Sequence, residues 1–292
     1  MVDMHIHTKY SDGDKTVEEI LKMCEKRKLE YISITDHNTC KQYEDSAIDK
    51  GIFTGKIIKG VEMNAVFKNK NIEILGYKIK ETKIIDKWSE KFFGEEVLKK
   101  EQEESKRKLL EICDKKGIIY DESKIEKDIS LTDYITIYIY KELMRHKENY
   151  KILGEFAKSL DIFIRKGLMN PNSEYYTGTN NIEKPQYKDV IDVIHKAGGL
   201  AFLAHPFEYR FEDIFKFIDE IRKEKELDGI ECFHPSADKE QMKALELYAK
   251  KHNLYISGGS DYHGSKKPDI EIGIGKGNLN ISKEIVEKWI NV

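Results

Sequence analysis

The chain predicts an α/β fold, a parallel sheet or barrel assembled from residues 1–80 and 186–292, with a mainly helical insertion at 81–185 between them. Three features carry this reading. Short apolar runs alternate with amphipathic helical spacing in both flanking segments, the rhythm of parallel α/β architectures. The middle segment is dense in charge at helical spacing. All prolines lie at or after Pro171, so nothing between residues 81 and 170 breaks a helix through proline.

The elements follow in order. Val2 to Ile6 is a strand. Thr16 to Lys28 is a helix, because Val17, Ile20, Leu21 and Cys24 fall on one stripe. "LEYISIT" (29–35) is a second strand, "KIIKGVEMNAVF" (56–67) a third and "NIEILGYKI" (71–79) a fourth. "KFFGEEVLKKEQEESKRKLLEICDKKG" is one long solvated helix stopped at Gly117. "LTDYITIYIYKELMRHKENY" could open as a strand and is read mainly as helix, and 169–186 is a loop rich in Asn, Gly and Pro. The second half then alternates: helix "YKDVIDVIHKAGG", strand "LAFLA", helix "EDIFKFIDEIRKEKE", strand "LDGIECF", helix "DKEQMKALELYAKKHN", strand "LYISGGS".

Composition bounds the function classes. The chain of 292 residues is 39% hydrophobic and 35% charged, as expected of a globular protein with a charged surface. No apolar run is long enough for a membrane span. The first strand starts almost at Met1, leaving no room for a signal peptide, so a cytoplasmic location is expected. A net charge of −3 gives no electrostatic case for wrapping duplex nucleic acid. The scattered Cys24, Cys40, Cys113 and Cys232 form no CxxC pair and are read as reduced thiols.

Polar residues at strand ends carry the chemistry. His5 and His7 share one face of the first strand. His37 follows the second strand, Glu62 ends "IIKGVE", Glu73 is the lone charge in "NIEILGY", His205 closes "GGLAFLAHP", and Asp261 and His263 follow the last strand. Each alone has a bland explanation as a cap, an ion-pair partner or a satisfied core histidine. Together they do not, because burying uncompensated carboxylates costs several kcal/mol each and repeating it at successive strand ends has no packing benefit. Imidazoles and carboxylates without thiolate form a ligand set for Zn, Mn or Fe, so two or three divalent ions are expected.

"HIHTKYSDG", "ITDHNT", "GVEMNA", "LAFLAHP" and "SDYHG" resemble, in order, the motifs of the PHP (polymerase and histidinol phosphatase) superfamily. They are most similar to its stand-alone phosphoesterases of small phosphorylated substrates, including nucleoside 3′,5′-bisphosphates. The resemblance implies a distorted (β/α)7 barrel with a trinuclear site at its C-terminal face and an insertion that helps enclose substrate. It implies that His5, His7, Glu62 and Asp261 hold one ion, that Glu62 and His205 share a second, and that Asp12, His37 and His263 hold a third. This chain departs from the pattern at Glu73, where that branch usually has histidine. As a ligand, a carboxylate there favours Mn or Fe over Zn.

The expected activity is hydrolysis of a small phosphomonoester by metal-bound hydroxide, with nucleoside 3′,5′-bisphosphates and short oligonucleotides as candidate substrates. Asp12 and His37 enter catalysis as ligands. His234, in "ECFHPS", is the candidate leaving-group acid, alongside a metal-bound water and the plain reading of a loop histidine. Lys9 and Arg210 are the candidate phosphate binders, with Arg145 and Arg165 of the insertion behind them. His146, His195 and His252 are read as solvated helical positions. Histidinol-phosphate phosphatase, oligonucleotide exonuclease, metallo-amidohydrolase and non-catalytic metal or nucleotide binder remain the alternatives.

Overall fold

The computed structural model describes residues 1–125, 135–170, 172–177 and 184–291. The chain divides into two compact units, one of Met1–Ser89 with Lys184–Val292 and the other of Glu90–Glu183.

In the first unit, β1 (Val2–Ile6) is wholly buried and pairs in parallel with β2 (Tyr31–Ile34), which pairs with the two-residue β3 (Lys56–Ile57). Between them lies α1 (Val17–Lys26), opened by a reciprocal cap in which the Thr16 side chain accepts the Glu19 N–H and the Glu19 carboxylate accepts the Thr16 N–H. Its stripe Val17, Ile20, Leu21 and Cys24 is buried against Ile6, Ile32 and Ile34.

The stretch 56–67 is two strands rather than one, since β4 (Gly60–Phe67) leaves β3 for a second sheet. It turns through Lys68 and Asn69, both at positive φ (45° and 66°), into β5 (Lys70–Tyr77). Two left-handed residues in a two-residue loop match the twist of an antiparallel hairpin, and that pairing corrects the all-parallel expectation. The second sheet runs β4–β5–β6–β7–β8, with β6 (Leu200–Leu203) antiparallel to β5, and β7 (Gly229–Phe233) and β8 (Tyr255–Gly258) parallel to their neighbours. The sheets meet at two isolated bridges, Ile6 with Tyr262 and His37 with Glu62.

After β5 comes α2 (Thr82–Phe93), whose Ile85 is buried in the first unit's core. Gly94 then caps α3 (Glu95–Lys116), so the predicted long helix is two helices. A Cβ at Gly94 would fall 2.4 Å from the Glu90 carbonyl oxygen, which is why glycine sits at this break. Gly117 ends α3 at φ 64°, as its spacing predicts.

The second unit packs Leu109, Leu110 and Cys113 of α3 against Ile139, Tyr140 and Leu143 of α4 (Ile135–Leu143). Short turns follow, α5 (Asn149–Leu153) and α6 (Leu160–Ile162), with Leu153, Phe163 and Tyr175 completing the cluster. The start of the 131–150 segment and part of the 169–186 loop lie outside the described residues.

The flanking helices of the first unit follow the sequence reading: α7 (Tyr187–Lys196), α8 (Ile214–Glu224) and α9 (Lys239–Lys251). The terminal α10 (Lys283–Ile290) adds Val286, Trp289 and Ile290 to a cluster with Val2, Met4, Tyr77 and Phe202. Along β4 and β5, Val61, Met63, Ala65, Ile72 and Ile74 face the core that also buries Val190, Ile194 and Ile218. Period-two alternation then sends Glu62 and Glu73 to the opposite face. All four cysteines are buried and unpaired. Among the described residues no helix is long and apolar enough to cross a membrane.

Candidate metal centre

The expected ligands converge near the C-terminal ends of β1, β2, β6 and β8, with Glu62 from the start of β4 and Glu73 from the middle of β5. His5 Nε2 and His7 Nε2 lie 3.1 Å apart, and Glu62 Oε2 is 3.0 Å from the first and 3.1 Å from the second. Asp261 Oδ1 completes this group at 3.6 and 3.4 Å. On one side, Asp12 Oδ1 stands 3.1 Å from His263 Nε2, 3.6 Å from His7 Nδ1 and 3.8 Å from His37 Nε2. On the other, Glu62 Oε1 is 2.9 Å and Glu73 Oε2 is 3.3 Å from His205 Nε2. His37 Nδ1 lies 3.4 Å from Glu62 and 3.8 Å from Glu73.

The antiparallel hairpin makes the Glu62–Glu73 juxtaposition. Glu62 registers with Leu75 and Glu73 with Asn64, so the two acids are diagonal neighbours on one face. Tyr209 fixes Glu73 from the backbone, accepting its N–H at 2.8 Å.

Two residues adopt left-handed backbone here, Asp261 at φ 54° and His205 at φ 20°. Such conformations cost roughly 1–3 kcal/mol and persist when neighbours over-determine them. Asp261 donates its N–H to the His5 carbonyl (2.8 Å), and His205 donates its N–H to Glu231 Oε2 (2.8 Å).

Burial and the neighbouring carboxylates act in opposite directions on the imidazoles of His5, His7 and His205. Burial alone would lower the His5 pKa, but Glu62, Glu231 and Asp261 raise it well above its ordinary value. Burial also opposes charge on His7 and His205, yet the surrounding carboxylates bring them up to about 9 and about 10. Burial, then repulsion from Glu62, pushes Glu73 up to about 8, whereas burial takes His37 down to about 4.

The donor set fits divalent ions on two grounds. It offers imidazole nitrogen and carboxylate oxygen with no thiolate. His37 Nδ1 is buried with no hydrogen-bond partner although it faces two carboxylates. Three groups of side chains are spaced to hold an ion: His7, Asp12, His37 and His263; His5, His7, Glu62 and Asp261; and His37, Glu62 and Glu73.

Several supporting residues escaped the sequence reading. Glu231, fully buried on β7, accepts His5 Nδ1–H at 2.9 Å and so turns His5 Nε2 toward the cluster. Its signal was the one that marked Glu73, a lone acid in an apolar strand. Buried Asp36 accepts from Thr8 N–H (2.8 Å), Thr8 Oγ1 (2.6 Å) and Ser11 Oγ (2.6 Å), and Ser11 Oγ lies 3.4 Å from His7 Nδ1. Asp3 accepts the N–H groups of His5, Ser260 and Gly273, tying β1 to the loop after β8.

His234 joins the cluster, with Nε2 3.2 Å from Asp261 Oδ2 and Nδ1 2.7 Å from Ser236 Oγ. The ammonium of Lys267, for which no sequence pattern spoke, contacts the same Asp261 Oδ2. Lys9 and Arg210 are exposed, and among the described residues neither side chain bonds to the cluster. Arg145 and Arg165 pair with Glu142 and Asp161 on their own helical turns. His195 is not simply solvated, since its Nε2 lies 2.7 Å from Asp228 Oδ2.

An α/β edge that gathers imidazoles and carboxylates in this way has the donor set of a multinuclear divalent-metal site. The chain belongs to the PHP domain family, whose match spans residues 3–253. It is 26% identical over 298 residues to a 5′-3′ exoribonuclease of Haemophilus influenzae, covering 98% of this chain and 97% of that protein. It is 23% identical over 281 residues to a 3′,5′-nucleoside bisphosphate phosphatase of Chromobacterium violaceum, covering 93% and 90%. In fold it resembles a crystal structure described as a metal-dependent phosphoesterase from Bifidobacterium adolescentis, with TM-score 0.69 over 99% of this chain and 95% of the other at 21% identity. The chain is thus a PHP-family metal-dependent phosphoesterase.

Proposed function

We propose that this chain hydrolyses a small phosphomonoester, first among the candidates a nucleoside 3′,5′-bisphosphate, with two or three divalent ions of Mn, Fe or Zn. One observation carries the reading: the three ligand groups share His7, Glu62 and His37 pairwise, so the candidate ion positions are neighbours. Bound there, divalent ions supply Lewis acidity, a lowered water pKa and a clamp on phosphoryl oxygens.

His5, His7, Glu62 and Asp261 would hold one ion, and Asp12, His37 and His263 a second with His7 in reach. Glu62 and Glu73 would hold the third with His205 or His37. Glu73 makes that position harder, favouring Mn or Fe. His234, held at Nδ1 by Ser236 and with Nε2 3.2 Å from Asp261 Oδ2, would give a proton at Nε2 to the leaving alkoxide. Glu231 and Ser11 orient His5 and His7 from behind. The two sheets, bridged at Ile6–Tyr262 and His37–Glu62, would close into the distorted (β/α)7 barrel that the motifs imply.

A second reading has a specific support. The relative named an exoribonuclease matches over nearly the whole of both chains, which favours stepwise cleavage of short RNA. The test is a panel of nucleoside 3′,5′-bisphosphates, histidinol phosphate, p-nitrophenyl phosphate and short 5′-phosphorylated oligoribonucleotides, with Mn-loaded protein. Phosphate release from the bisphosphate, abolished by chelator, supports the monoester reading, and mononucleotide release from RNA supports the second. Failure of metal-replete protein to turn over any of them refutes both.

A further inference from the structure

We infer that Lys267 is an anion-binding residue of this site, holding a phosphate oxygen of the substrate beside Asp261. The inference deepens the phosphoester reading and rests on it.

Asp261 divides its two oxygens. Oδ1 faces His5, His7 and His263 at 3.6, 3.4 and 3.3 Å, the direction of the ligand cluster. Oδ2 lies between His234 Nε2 at 3.2 Å and the Lys267 ammonium. Lys267 therefore does not compete for the oxygen turned to the metal positions. An ammonium carries three N–H donors, and Asp261 takes one, leaving two to point elsewhere. The Lys267 side chain is 40% exposed while Asp261 is only 7% exposed, so the lysine opens the buried cluster toward solvent.

The loop that carries Lys267 is held firmly. Gly264 sits at φ 72°, and a Cβ there would fall 1.7 Å from Asp14 Oδ1. Asp14 also accepts the Ser265 N–H at 2.8 Å, and Lys267 donates its own N–H to Gly264 at 3.1 Å. Asp14 belongs to the loop that carries Asp12, so the lysine is built into the same rim as the ligands.

Charge points the same way. Three divalent ions would bring six positive charges against the six carboxylates of Asp12, Asp36, Glu62, Glu73, Glu231 and Asp261. A further ammonium leaves the loaded rim positive, the condition that recruits and orients an anion.

The test uses full-length, Mn-loaded protein and inorganic phosphate as the probe, with calorimetric affinity, bound metal per chain and the KM–kcat split as readouts. Lys267→Ala is compared with Lys267→Met, which keeps the aliphatic stem, and with Lys266→Ala on the exposed neighbour. Both Lys267 variants are expected to weaken phosphate binding by roughly ten-fold or more, the worth of one charge-assisted hydrogen bond, and to raise KM more than they lower kcat. Bound metal should stay at the wild-type level, and Lys266→Ala should bind phosphate as wild type does. Unchanged phosphate affinity, a loss that appears only together with lost metal, or a metal-loaded wild type that does not bind phosphate would each overturn the inference. A wild type that binds phosphate through Lys267 yet hydrolyses no phosphoester would instead overturn the enzymatic reading alone.

Discussion

Glu231→Gln tests whether the cluster is held from behind as well as from within. Both oxygens of Glu231 are committed, Oε1 to His5 Nδ1 at 2.9 Å and Oε2 to the His205 N–H at 2.8 Å. An isosteric amide has one oxygen and one NH2 for the same two positions. If the oxygen stays on His5, the NH2 meets the His205 N–H, and two donors oppose each other beside a residue already at positive φ. If the NH2 faces His5, Nδ1 must accept, and the ring proton moves to Nε2, the nitrogen turned to Glu62 and the metal position. Either way one buried charge-assisted hydrogen bond is lost, about 1.5–3 kcal/mol, and with it a roughly ten- to hundred-fold loss of metal affinity. Titration against a chelator of known affinity, followed by elemental analysis, reads this directly. Metal affinity within three-fold of wild type would refute the positioning role of Glu231.

Further outcomes follow from the same geometry. Glu73→Ala should remove one bound ion while His5, His7, Glu62 and Asp261 keep theirs; an anomalous-scattering map with no ion near Glu73 in the wild type would sink its role as ligand. His37→Ala, replete with metal otherwise, should lose phosphatase turnover, and retained activity counts against the proposed scheme. Gly259→Ala puts a Cβ 2.3 Å from the His5 nitrogen, an overpacking of about 1–3 kcal/mol, so thermal melting should show a drop of roughly 2 °C or more, and an unchanged melting temperature would refute it. The His195 pKa is raised by its hydrogen bond to Asp228, so the pair stabilises fully below the unfolded histidine pKa and less as pH rises through the folded one. Denaturant midpoints of His195→Gln and wild type should therefore differ more at pH 6 than at pH 9; an equal gap would exclude the linkage.

Much of the site was legible because metal ligands leave polar letters in apolar words. His5, His7, Glu62, Glu73 and Asp261 stand out by interrupting or ending hydrophobic runs, and strand periodicity already places His5 and His7 on one side. The helices were legible for the same kind of reason: Val17, Ile20, Leu21 and Cys24 announce α1, and Gly117 announces the end of α3. The break at Gly94 was not, because a glycine inside a charged helical run reads as a tolerated residue until the Glu90 carbonyl is placed against it.

What the linear order determined was the inventory: α/β rhythm, two sequence-distant halves and a set of imidazoles and carboxylates suited to divalent ions. Tertiary structure alone decided the arrangement. The Lys68–Asn69 turn reverses β4 into β5 and so sets Glu62 beside Glu73, a pairing that depends on backbone handedness at two residues. Glu231 acquired its place only when strands far apart in the chain met at His5, and the loop that brings Lys267 back to Asp261 is pinned by the distant Asp14. Local pattern reports which face a residue takes; which partners wait on that face is set by register and crossing of distant elements, and no single stretch of sequence contains that information.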